Sequence, residues 1–247
     1  MMNFSGMKLR AINGVKSYFN RTWNFDDMMN IDEIPHEVHT RLKKVYLTLF
    51  CAMLSSAFGS YLQWISIAGG KFTVLSCVAS LIWIYFTPPG RLKTRVLLLM
   101  LAAYSFGASI SAYINYLYKI EQCYVLKLLL GDTMVSGNFL YRATRTRERM
   151  KIYYSCLPYC FVLMISGIAS ILLDSKSTAF WVINIHTQQM LFMAFLVIYS
   201  QEILFNANLG DIDFINCTFT AFFHLPGIVI HAAARLYLQD AEIEQHN

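Results

Sequence analysis

The chain has 247 residues, 56% of them hydrophobic and 14% charged, with a formal net charge of +5 and a mean hydropathy of +0.44. A typical soluble domain carries about 25% charged residues, so this composition excludes an ordinary water-soluble globule. The positive charge is spread between apolar stretches, which reads as membrane topology and attraction to anionic lipid and excludes nucleic-acid binding as its purpose.

The first forty residues are polar and lack the short apolar core of a secretory signal peptide, so the first apolar stretch is expected to act as the internal targeting signal. Within them, Ile12, Val15, Phe19 and Trp23 recur at helical spacing among Lys and Arg. That pattern suits a helix lying on the cytosolic leaflet, and a partly ordered tail fits the periodicity about as well. Asp26, Asp27, Asp32 and Glu33 follow as an acidic patch before Pro35.

Seven apolar stretches come next, at Val45–Ile67, Phe72–Thr87, Val96–Tyr118, Tyr124–Tyr141, Ile152–Leu173, Ala179–Phe205 and Phe214–Leu238. Each is near the roughly 20 residues that cross a bilayer as a helix. Pro88-Pro89-Gly90 is a firm turn that ends the second stretch. The fourth is the weakest, with Lys127, Asp132 and Arg142 in or beside it, and is expected to face the bundle interior. Asp132 reads there as an interior counter-charge to Lys127 or a histidine, or as a snorkelling position, which suits so short a side chain less well. The seventh contains His224-Leu225-Pro226-Gly227, where proline and glycine weaken a helix, so a broken or re-entrant helix competes with a clean span. The expected fold is all-α, a polytopic bundle of about seven transmembrane helices. Its domains are a cytosolic N-terminal segment over 1–40, a membrane domain over 41–238 and a short acidic tail over 239–247.

Basic residues outside the stretches number 7, 1, 3, 1, 5, 1 and 0 from the N-terminus onward. This alternation is the positive-inside pattern and puts the N-terminus in the cytosol. Arg91, Lys93 and Arg95 form one cytosolic cluster, and Arg142, Arg145, Arg147, Arg149 and Lys151 another. The six cysteines do not form a disulfide framework, since five lie within stretches and Cys123 stands without a partner. Cys156 and Cys160 share a helical face, where small apolar packing explains them better than zinc.

Two segments carry a resemblance. The first is Leu42-Lys43-Lys44-Val45-Tyr46-Leu47-Thr48-Leu49, running on to Ala57-Phe58-Gly59-Ser60-Tyr61-Leu62. The second is Gln201-Glu202-Ile203 followed by Asn208-Leu209-Gly210-Asp211-Ile212-Asp213-Phe214. Both are similar to the plant-like branch of the Bax inhibitor-1 family, the transmembrane Bax inhibitor motif proteins of the endoplasmic reticulum. Residues 90–190 match that family in hydropathy alone. The resemblance implies a multi-pass protein of the reticulum membrane that suppresses cell death and lowers luminal calcium through a pH-sensitive leak. It implies the bilayer as partner, together with Bcl-2-family or other reticulum membrane proteins and calcium. No cofactor is expected.

In the family, the leak is attributed to two aspartates in the last two spans. The matching positions here are Tyr199, in Tyr199-Ser200-Gln201-Glu202, and His224, eleven residues after Asp213. A basic residue usual in plant-like members falls at His231, and their lysine-rich tail is replaced by an acidic end. Two close carboxylates in low dielectric share a proton and titrate as a coupled pair. A phenol, with a reference value of about 10, stays neutral near pH 7 and cannot replace an acid. A Tyr199–His224 hydrogen bond would be a neutral latch, and it offers little to calcium, which wants several oxygen ligands with negative charge.

Further candidates for an ion path are Glu202, one turn beyond Tyr199, with Asp132 and His231. Each has a plainer reading: a carboxylate at the cytosolic edge in water for Glu202, and satisfied polar packing for the histidines. Asp211 and Asp213 serve most simply as a turn and helix N-cap. The sequence offers no Ser/His/Asp arrangement, phosphate loop, HExxH or CxxC, so no enzyme is expected. A leak channel or transporter gated by Glu202, Asp132 and the histidines is the competing reading. A seven-helix receptor is disfavoured by the cytosolic N-terminus.

Overall fold

The structure is a computed structural model, and it describes residues 32–65, 70–118, 122–173, 176–209 and 213–223. The amphipathic segment at 7–23, Gly210, Asp211, His224, His231 and the acidic tail lie outside the described residues. The described elements are α1 (His36–Ile65), α2 (Lys71–Phe86), α3 (Leu92–Tyr118), α4 (Gln122–Arg145), α5 (Arg149–Tyr153), a 3-10 turn (Tyr154–Cys156), α6 (Leu157–Leu173), α7 (Lys176–Leu209) and α8 (Phe214–Phe223). The protein is an all-α multi-pass membrane bundle.

The stretches His36–Ile65, Leu92–Tyr116, Arg149–Leu172 and Val182–Leu204 are long and apolar enough to span a membrane, while α2 and α8 are apolar but shorter. Helix α4 has the length without the apolarity. Its polar residues Asp132, Thr133 and Ser136 are buried beside Val125, Leu128, Leu129 and Phe139, as expected for a helix facing the interior. The polarity is inside out on the periphery too. Helix α2 turns Phe72, Leu75, Trp83 and Phe86 outward and buries Cys77, Ser80 and Ile84, and α6 exposes Phe161, Ile165, Ile168 and Leu172. Such apolar outer faces suit lipid rather than water.

Helix α1 begins nine residues before the apolar stretch that marks it, because Pro35 sets the first turn and its carbonyl accepts the His39 N–H at 2.9 Å. Hydropathy locates the membrane, not the helix end. The break before α6 has a similar cause: Pro158 has no N–H to donate, and the 3-10 turn just before it absorbs the mismatch. The expected turn at Pro88-Pro89-Gly90 is present, closed by Arg91 N–H to Pro88 O at 3.1 Å.

Helices α1 and α3 run parallel at backbone contact, with Ser55 beside Met100 and Phe58 beside Tyr104. A Cβ built on Gly59 would lie 2.2 Å from the Tyr104 carbonyl oxygen, and one on Gly107 would lie 1.9 Å from that of Ser56. Apolar lipid gives helices no hydrophobic reason to associate, so close van der Waals approach through small residues supplies it. Ser55 adds a hydrogen bond across the pair, to Met100 O at 2.9 Å. Helix α4 packs on the other side of α1, where Tyr46 meets Phe139 with ring centroids 5.7 Å apart. Ahead of α1, Ile34 N–H donates to Arg147 O at 2.9 Å and Glu33 pairs with Arg147 at 3.1 Å. The entry segment is thereby tied to the α4–α5 loop, so the first and third basic clusters share one end of the bundle.

Candidate functional site

The two segments that carried the resemblance meet at that end. Tyr46 of α1 is buried, and its hydroxyl lies 2.5 Å from Ser200 Oγ of α7. Ser200 spends its only hydroxyl hydrogen on the Leu196 carbonyl one turn back, so Tyr46 must be the donor. Helix α8 closes against both. Thr218 Oγ1 donates to Phe214 O at 2.8 Å and approaches Val45 O at 3.4 Å.

Tyr199 sits at this junction, 5% exposed. Its ring stacks on Phe195 at 5.6 Å, and its hydroxyl donates to the Cys217 carbonyl oxygen at 3.0 Å. A neutral tie between the last two helices is therefore present, and its described acceptor is backbone of α8. His224 and His231 lie outside the described residues. The phenol brings no charge to the junction, only a donor for a carbonyl that would otherwise face apolar neighbours.

Asp213 opens α8. Its Oδ1 accepts the Ile215 N–H at 3.0 Å, which is the capping role read from the sequence. Its Oδ2 takes Arg95 Nη1 at 2.5 Å, while Arg95 Nη2 donates to Asn216 Oδ1 at 2.9 Å. This corrects the expectation for Arg95. Lys93 and Arg91 are exposed as topology markers should be, but Arg95 is buried at 4% and forks onto two α8 residues. A bidentate guanidinium is suited to this, since it satisfies a carboxylate and an amide oxygen in one plane. Its place next to the apolar run from Val96 was the signal available in the sequence. Nothing in the sequence pointed to Asn216.

Gln201 is buried, with no partner for its Nε2 among the described residues. Glu202 is half-buried rather than standing free in water. Asp132 is not where pairing would put it. Lys127 is exposed, and Asp132, 1% exposed, has no hydrogen-bond partner on either oxygen among the described residues. The physical reason is rotation: five residues separate the two, about 140° around the helix, so they leave on different faces. Cys160 lies 3.7 Å from Met193 Sδ and Cys156 bonds Tyr153 O at the end of α5, which is packing chemistry. Among the described residues no three His, Cys, Asp or Glu side chains group as a metal site.

No family model matches the chain, and no solved structure matches it. Curated proteins do. A protein named Bax inhibitor 1 from Arabidopsis thaliana is 29% identical over 204 residues, 82% of this chain and 82% of its own length. Bax inhibitor 1 from Oryza sativa subsp. japonica is 28% identical over 211 residues, 84% of each chain. Bax inhibitor 1 from Homo sapiens is 23% identical over 207 residues, 80% of this chain and 85% of its own.

Proposed function

We propose that this chain, which belongs to the Bax inhibitor-1 family, suppresses cell death from the endoplasmic reticulum membrane and modulates luminal calcium. In this reading the N-terminus faces the cytosol, and the paired-acid site is replaced by Tyr199 and His224. The observation that carries it is the tie from Tyr199 to the Cys217 carbonyl at 3.0 Å, made where the family reading puts an acid. A phenol bonded to backbone holds the last two helices together without a charge that titrates near neutral pH. The scaffold around it is intact, through Tyr46–Ser200 and Arg95–Asp213. Retained scaffold with an uncharged latch favours death suppression through membrane and partner contacts, with a weak or pH-insensitive leak. Bcl-2-family or other reticulum membrane proteins are the partners this reading implies, and in it the protein is not an enzyme.

The test is calcium flux from the purified protein in liposomes, read beside survival of cells challenged with a death stimulus. The parent is expected to protect cells and to leak little calcium at any pH. Tyr199→Asp combined with His224→Asp should create a leak that changes through a coupled titration, with either single change doing less. A parent that already leaks with the pH profile of acid-bearing relatives would sink the reading. It would favour the competing one, a leak channel gated by Glu202, Asp132 and the histidines.

A further inference from the structure

The interior of the bundle holds a second polar layer, distinct from the Tyr199 junction. Helices α1 and α4 run antiparallel, with His39 bonded to Thr146 O, Tyr46 against Phe139 and Phe50 against Gly137. Counting on from those contacts brings Asp132 level with residues 53–55 of α1. From the other side α7 lays Gln189 on the residue before Asp132, so closely that a Cβ on Gly131 would lie 1.6 Å from its Nε2. Asp132 and Gln189 are 1% and 4% exposed.

Three oxygens of this layer, Asp132 Oδ1, Asp132 Oδ2 and Gln189 Oε1, are buried acceptors without a donor among the described residues. A lone carboxylate in low dielectric without a countercharge is among the costliest groups a membrane protein can hold. The charged groups among the described residues do not supply that countercharge. On α4 itself, Lys127 is exposed, and Arg142 is ten residues away, about 15 Å along the axis. The His39, Arg41, Lys43 and Lys44 group of α1 and Arg95 of α3 stand at the basic end. From α7, His186 packs toward Gly167 of α6, and Glu202 is two turns beyond Tyr199's partner Phe195. Tyr124 of α4 is bonded to Asn184, and Tyr159 of α6 is within electrostatic reach of Asp132 but offers a neutral phenol. What the layer lacks is a hydrogen.

We propose that Asp132 is an intramembrane proton-binding site. Binding forms one O–H bond on a carboxylate oxygen, and the proton comes from water and returns to it. The bound proton removes the uncompensated charge and turns one orphan acceptor into a donor for an oxygen of the layer. A divalent cation is a poorer occupant, because it wants several charged oxygen ligands and the layer holds a single carboxylate. The site does not rest on the calcium reading, since it is defined by Asp132 whether or not the protein leaks.

Infrared difference spectroscopy of the full chain in lipid nanodiscs, in H2O and D2O, tests it. The parent at neutral pH should show the C=O stretch of a protonated, buried carboxyl. Asp132→Asn should lose that band, Asp132→Glu should shift it, and Glu202→Gln should leave it in place. The glutamate variant keeps the test readable if the asparagine variant does not reconstitute. The proposal is overturned by a parent spectrum without the band, by a band that survives Asp132→Asn undiminished, or by one that emerges when calcium is chelated.

Discussion

Arg95 stands at the start of an apolar run, and its charged guanidinium lies inside the protein, held by Asp213 and Asn216. Removing one partner of such a pair leaves the other charge uncompensated, and for buried pairs that costs about 3–5 kcal/mol. Asp213 keeps a quarter of its side chain in contact with solvent, so Arg95→Met is expected at or below the lower end of that range. Thermal unfolding in detergent should show it, and Arg95→Met combined with Asp213→Asn should recover part of the loss. An Arg95→Met protein as stable as the parent would mean that the pair is ornamental. Tyr46–Ser200 is a weaker tie of the same kind, worth about 1 kcal/mol. Tyr46→Phe and Ser200→Ala should each destabilise by about that much, and together by clearly less than the sum, because the second removes a partner already gone.

At the scale of elements, the crossing of α1 and α3 depends on two glycines for close approach. Gly59→Ala would drive its methyl into the Tyr104 carbonyl, which is backbone and cannot swing away. The helices must then separate, and the loss of contact is expected to lower the melting temperature by several degrees. Gly90→Ala, where an added Cβ meets nothing within 4 Å, is the matched control and should change little. Equal melting temperatures for both variants would contradict the close packing. The crossing was not legible from hydropathy: Gly59 lies in the first resemblance segment, but the pattern of apolar residues does not say which backbone it touches. The break at Pro158 and the early start of α1 were missed for a related reason, since an apolar window measures lipid contact and helix ends obey local backbone chemistry.

For the whole molecule, the basic clusters define an orientation. Replacing Arg142, Arg145, Arg147 and Arg149 by neutral residues should disturb the placement of α4 and of the span from Arg149 to Leu172. Protease accessibility of the loops on either side of the membrane would report it, and unchanged accessibility would mean that the charge count carries no weight. The sequons at Asn3, Asn20 and Asn216 should remain unglycosylated; a glycan on Asn20 would reverse the orientation.

Composition and the spacing of apolar stretches sufficed for an all-α multi-pass membrane protein, because a bilayer admits few ways of satisfying a backbone and a 20-residue apolar run nearly names one of them. Two short segments carried the likeness to proteins named Bax inhibitor 1. Pairing across the bundle was decided by the tertiary structure alone. Arg95 reads in sequence as one more loop cation, yet helix packing carries it to Asp213, 118 residues away. Asp132 reads as a counter-charge to Lys127 or a histidine, yet helix rotation sends Lys127 outward and leaves Asp132 buried without a hydrogen-bond partner among the described residues. Hydropathy is a sum along the chain, whereas the partner of a charge is set by which helix faces lie opposite, and that is known only once the helices have packed.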